Sequence, residues 1–237
     1  MKVLIGSARI NEQGTTTGGQ DGDQTGKECC TEPFYVHKLG WVILRPKLYE
    51  HAQKIAHNMV SICDNDNIGY DWNRKNSLYD ADKKYKFDAS RVTVKCNTNC
   101  AGAVRNCVLY AGIECDDFYT GNEIETLNKT GAFEVITDTS KTSDKNFLKV
   151  GDILVTPTQG HTAVVVSTLN EFEVYCNTEY CCEFVTTGNM YLRTFGGTGA
   201  EILGTIPLGE VCKCDGIYCL ETEPNKRWYH LHYNGLS

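Results

Sequence analysis

No long apolar run occurs anywhere in the 237 residues. Nothing approaches the roughly 18 consecutive apolar residues of a membrane-spanning helix. The opening MKVLIGSARINEQG has only a short apolar run before Gly6, too brief for a signal-peptide core. A soluble chain without an export signal is expected, one that reaches an extracellular target by lysis of its host or by a non-classical route. A basic surplus is also missing: 23 Lys and Arg stand against 30 Asp and Glu, a formal net charge of −7. That balance excludes a broad basic surface for nucleic acid or anionic lipid, and leaves a carbohydrate or peptide polymer open as target. Regular metal-ligand spacing is lacking too. The thirteen cysteines are odd in number and irregular in spacing. The pairs at 29–30 and 181–182 and the CKC at 212–214 fit neither a disulfide ladder nor a paired zinc motif. Most read as small buried hydrophobes; no metal and no cofactor is expected.

Residues 1–32 are rich in Gly, Thr, Gln and Asp and read as loop punctuated by turns. Residues 48–66 carry Leu48, Ala52, Ile55, Ala56, Met59, Val60 and Ile62 on a 3.6-residue stripe, a first helix. A short second helix is expected over 76–85, a third over 100–113 ending at Gly112, and a fourth over 122–133 stopped by Gly131. The period then changes. Residues 151–177 contain three strand-like runs, Asp152–Thr156, His161–Ser167 and Glu171–Asn177. Helices followed by an antiparallel meander argue for an α+β domain. After residue 188 short alternating runs separated by GGTG, PLGE and EPNK read as a small all-β module. The expected domains are therefore 1–187 and 188–237.

The stretch VKCNTNCAGAVRNCVLYAG (94–112) holds Cys96, Cys100 and Cys107. Cys100 stands where a polar loop becomes a helix, so unpaired N–H groups and the positive helix end should lower its thiol pKa. Cys107 lies two turns on along the apolar face and reads as core; Cys96 lacks the helix end. A thiolate needs a base. Among the six histidines, His161 opens a strand directly after Gly160 and is the natural general base for Cys100. On the expected partner strand, Glu173 or Asn177 could accept the second ring N–H, or both could be a solvated strand face; Glu173 is preferred.

Cys100, followed by Gly151–Asp152 and then Gly160–His161 with TAVVV, resembles the NlpC/P60 cysteine peptidases of bacterial cell walls, which share a papain-like core with the CHAP amidases. NCAG (99–102) takes the place of the family's DCSG-like motif, with Asn99 for the usual Asp and Ala101 for the usual Ser. The segments SARINEQG, GGQDGDQTGKE and NDNIGYD resemble lysins of phages that infect Gram-positive bacteria. Residues 190–237 resemble a bacterial SH3 (SH3b) module, although the chain stops at NGLS, short of the strand that normally closes that barrel.

The resemblance implies a papain-like α+β peptidase domain followed by an SH3b-like barrel, with peptidoglycan as partner and no role for nucleic acid or membrane; a monomer is expected. It implies Cys100 as nucleophile, His161 as base, Glu173 by spacing as the third residue, and Tyr70 near the oxyanion. Asp23, Gln24 and Lys27 either bind the charged ends of the stem peptide or form a polar surface turn. The bond implied is γ-D-glutamyl to diamino acid. N-acetylmuramoyl-L-alanine cleavage, a non-catalytic wall-binding protein and a zinc-dependent amidase are the alternatives.

Overall fold

The computed structural model describes residues 3–168, 182–193, 202–220 and 223–233. The chain divides into two compact units, Met1–Leu169 and Asn170–Ser237.

In the first unit the elements run β1 (Leu4–Ala8), β2 (Cys29–Pro33), β3 (Val42–Pro46), α1 (Tyr49–Asp64), β4 (Ile68–Tyr70), α2 (Ser77–Asp82), β5 (Cys96–Thr98), α3 (Cys100–Tyr110), α4 (Glu123–Lys129), β6 (Phe133–Ile136), α5 (Thr139–Thr142), β7 (Ile153–Val155) and β8 (Thr162–Ser167). Six strands form one antiparallel sheet in the order β2-β1-β8-β7-β3-β6. The fold class is α+β, but its opening differs from expectation. Three strands precede α1, and two of them lie at least partly in the segment expected to be loop. The short apolar run before Gly6 becomes β1 because β8, far along the chain, pairs with it; tertiary partners override weak local propensity here.

Side chains alternate across the sheet with period 2. Leu44, Ile153, Val155 and Val164 pack with residues of α1 and α3 in one core. Ile43, Leu154, Ala163 and Val165 pack on the other face with Trp41, partly covered by Phe34, Tyr35 and Phe147. Fully burying each large aliphatic side chain contributes about 1.5–3 kcal/mol. The first helix buries Ala52, Ile55, Ala56, Met59 and Ile62, the stripe read from the sequence; Val60 sits at its margin, and His57 is exposed. A buried amide fixes α3 against α1. Asn58 Nδ2 donates to Asn106 Oδ1 at 2.9 Å and to Phe87 O at 2.9 Å, while Asn58 Oδ1 accepts from the Ala89 N–H at 3.0 Å.

The Gly151–Asp152 pair has a structural role. Gly151 has φ +85, and a side chain there would overlap the Ala52 backbone of α1, so only glycine fits. Asp152 is buried, and its carboxylate accepts from Arg45 Nε at 2.8 Å, Arg45 Nη2 at 2.7 Å and the Lys149 N–H at 2.8 Å. This fork joins β3 to the turn before β7.

The second unit, by itself, contains β9 (Cys182–Val185), β10 (Met190–Arg193), β11 (Ile202–Ile206), β12 (Val211–Leu220) and β13 (Glu223–His232). β10 pairs with β11, and β12 lies between β13 and β9. β9 falls before the expected 187/188 boundary but pairs with β12, through Val211↔Val185 to Cys214↔Cys182. Leu192, Ile206, Cys212, Cys214 and Leu231 form the core of this unit.

Asp152→Ala leaves the Arg45 guanidinium without its buried partner, and is expected to lower unfolding free energy by about 3–5 kcal/mol. Denaturant unfolding of the two proteins measures this; a loss below about 1 kcal/mol contradicts the role assigned to the fork.

Candidate active site

The sheet opens where the site begins. The β1–β8 ladder runs Leu4↔Ser167, Ile5↔Val165 and Gly6↔Val164, and stops before Ala8 and Thr162. The Thr162 N–H faces the sulfur of Cys100 instead. Cys100 is the first residue of α3, and its thiol is free and 3% exposed. Asn99 caps the helix, its Oδ1 accepting from the Gly102 N–H at 2.8 Å. Asn at this position therefore supplies the cap that an Asp would, with no charge added beside the sulfur. Gly102 completes the motif for steric reasons: a Cβ there would lie 2.7 Å from the Lys75 carbonyl oxygen.

The expected thiolate is not the resting form. Burial pushes the Cys100 thiol up to about 12, and the Glu123 carboxyl adds to this, while the N–H groups of Thr162, Ala101 and Cys100 itself act in the opposite direction. Desolvation outweighs the helix end. His161 moves the other way. Burial lowers it to about 4, with the charges of Arg9 and His37 adding. Its ring lies beside Trp41, centroids 6.3 Å apart, and His37 is 5.3 Å from the same indole. At neutral pH the pair is a neutral thiol and a neutral imidazole. Among the described residues no hydrogen bond links the two side chains; the link is the backbone, since Thr162 directly follows His161.

The parallel pair β4–β5 places Tyr70 opposite Thr98, two residues before Cys100. Tyr70 is buried, and burial together with the Cys100 charge raises its phenol well above the ordinary value, so the hydroxyl stays a donor. Tyr35, which sequence reasoning missed, is raised by burial and by the charges of Glu32 and Cys100 against Arg9. Arg9 was missed as well. It pairs with Glu32 at 2.9 Å, and its guanidinium has no periodic signature that could have revealed it.

Asp23 and Gln24 close their own turn. Asp23 Oδ1 accepts from the Thr25 N–H at 3.0 Å and the Gly26 N–H at 2.6 Å, and Gln24 Nε2 donates to Asp21 O at 3.0 Å and Gly22 O at 2.9 Å. Burial raises Asp23, which shares a hydrogen bond with Glu28. Against the cost of its own burial, hydrogen bonds from Asp23, Thr25, Gln24 and Lys27 hold Glu28 down to about 2. Glu173 and Asn177 lie outside the described residues. Among those described, no group of three or more His, Cys, Asp or Glu side chains could hold a metal ion.

This arrangement defines an α+β domain with a sequestered thiol beside a histidine-bearing strand. The chain belongs to the family of endolysin-like domains, whose model matches residues 5–171. No curated protein and no solved structure matches it. Membership indicates a phage endolysin-type domain and, as its general class, a cell-wall-lytic function.

A histidine lowered from 6.5 to about 4 by folding stabilises the fold fully above about 6.5, and that contribution disappears as pH falls toward 4. His161→Gln, which cannot titrate, is expected to make the acid loss of melting temperature between pH 6.5 and 4 shallower. Thermal melts of both proteins across that window check this, and parallel slopes contradict it.

Proposed function

We propose that the protein is a peptidoglycan hydrolase that cleaves an amide of the stem peptide through Cys100 and His161. The observation that supports this most directly is the free Cys100 sulfur at the head of α3, faced by the N–H of the residue next to His161. Endolysin-like family membership supports the wall as target.

The mechanism begins from neutral partners. As the sulfur attacks the amide carbonyl, the thiol proton passes to His161, which then delivers it to the leaving amine. The product of this step is a thioester, and water hydrolyses it. The developing oxyanion receives hydrogen bonds from the Cys100 N–H and the Tyr70 hydroxyl. Glu173 is the proposed group that orients the imidazole. Arg9, more than a third exposed at its side chain, offers a guanidinium for the stem peptide's carboxylates. The proposed bond is γ-D-glutamyl to diamino acid, with N-acetylmuramoyl-L-alanine as the alternative. Residues 188–237 are proposed to act as an SH3b-like wall-binding module. Release is proposed to follow host lysis or a non-classical route.

One observation favours a second reading. A thiol buried and held neutral also suits a wall-binding domain that has no catalysis.

Purified sacculi separate the two. Cys100→Ala is expected to reduce fragment release by at least about 1,000-fold, with melting temperature nearly unchanged. His161→Ala should cost about 100- to 10,000-fold, and Tyr70→Phe about 100-fold. Mass spectrometry of the released fragments identifies the bond. Wild-type protein that sediments with sacculi yet releases nothing supports the non-catalytic reading.

A further inference from the structure

Glu123 has no part in the mechanism above, yet among the described residues it is a fully buried carboxyl beside Cys100. It opens α4, is 0% exposed, and accepts a hydrogen bond from Thr162 Oγ1 at 2.8 Å. Its other oxygen, Oε2, is buried without a hydrogen-bond partner among the described residues. Thr162 therefore faces in two directions: its hydroxyl is anchored by Glu123, and its N–H faces the Cys100 sulfur. The same segment holds the histidine turn at a second point, where Thr120 Oγ1 accepts from the Gly160 N–H at 3.2 Å. Thr156 Oγ1 then accepts from the His161 N–H at 3.0 Å. Three threonines and one glutamate thus hold the strand start that carries His161.

We propose that Glu123 is a positioning residue for Cys100, acting through Thr162 to hold the N–H that faces the sulfur and, as a carboxyl sealed from water, governing when that sulfur can carry charge. The proposal rests on Cys100 being the nucleophile.

Its surroundings support this. On α3 the titratable neighbour is Cys100, whose ionisation Glu123 opposes. On β8 the neighbour is Thr162. On α4 itself, Glu125 pairs with Lys129 in solvent. On the adjoining β3, Arg45 is engaged by Asp152, and on β6, Glu134 is exposed. Among the described residues no cation offsets a charge at Glu123, and burial raises it to about 8. Below that pH the carboxyl is uncharged and leaves the sulfur free to accept negative charge. Above it the carboxyl is ionised, and a second negative charge beside the sulfur becomes costly.

The test reads the thiol directly. The full chain is treated with methyl methanethiosulfonate from pH 6 to 9.5, and Cys100 modification is followed by peptide-resolved mass spectrometry in wild type, E123Q and E123L. Wild type and E123Q are expected to react alike at pH 6–7, and E123Q to be about tenfold faster at pH 9, one pKa unit of like-charge repulsion removed. E123L, which cannot anchor Thr162, is expected to react more slowly than E123Q throughout. Coincident profiles for wild type and E123Q, including equal absence of reaction, overturn the proposal; E123L matching E123Q overturns the positioning role. If E123L does not fold, the isosteric E123Q profile still decides. Fragment release from sacculi is scored separately, so a labelling pattern as expected with no release refutes the hydrolase reading while leaving the link between Glu123 and the thiol intact.

Discussion

One backbone N–H ties the sheet to the head of α3, where Cys100 stands. Where β1 leaves β8 beyond Gly6 and Val164, Thr162 would lose a ladder partner. A buried N–H without an acceptor costs about 1–3 kcal/mol. The Cys100 sulfur faces that N–H, so the termination of a strand pair and the placement of a thiol are one event. Because Thr162 follows His161, the same contact brings the imidazole-bearing residue to the helix head. Slipping the register of β8 by one residue would turn every side chain of the strand to the other face and separate the two.

The electrostatics of the site follow from how deeply that sulfur is enclosed. A helix N-terminus stabilises an anion by about 0.3–1 kcal/mol, up to about 2 in buried settings. Full desolvation shifts a titratable group by up to about 3–5 pKa units, or about 4–7 kcal/mol at 1.36 kcal/mol per unit. Burial therefore wins, and thiol and imidazole rest uncharged. A neutral pair resists adventitious alkylation and oxidation, which follow thiolate character.

What the sequence disclosed depended on whether an element's partner was near it in the chain. The α1 stripe, the head of α3 at Cys100, and the strands containing Ile153 and Val164 were all legible, since each depends on its own periodicity. The strands β1 and β2 were not. Their hydrogen bonds come from β8 and from each other across a Gly-rich loop, and nothing within residues 1–32 announces that pairing. Gly151–Asp152 was noticed as a motif, but its reason is an Arg45 fork and an Ala52 backbone that lie a hundred residues or so away in the chain. Glu123 was invisible for a similar reason. At the start of a short helix an acidic residue is what dipole and capping preferences favour at the surface, so neither its burial nor its meeting with Thr162 could be inferred from position.

The surroundings of Cys100 also differ from those of the other described thiols. Burial raises Cys29 and Cys107 well above the ordinary thiol value and brings Cys96 to about 12 and Cys115 to about 11. By intrinsic acidity Cys100 does not stand apart from them. Its neighbours differ. Cys96 sits within the field of Asp82 and Asp21, and Cys107 packs in the core behind α1. Cys100 has N–H groups from two elements around its sulfur, a phenol at Tyr70, and a chain neighbour of His161 as donor. The proposal of Cys100 as nucleophile therefore rests on the groups around the sulfur that could take its proton and receive an oxyanion, not on its resting pKa.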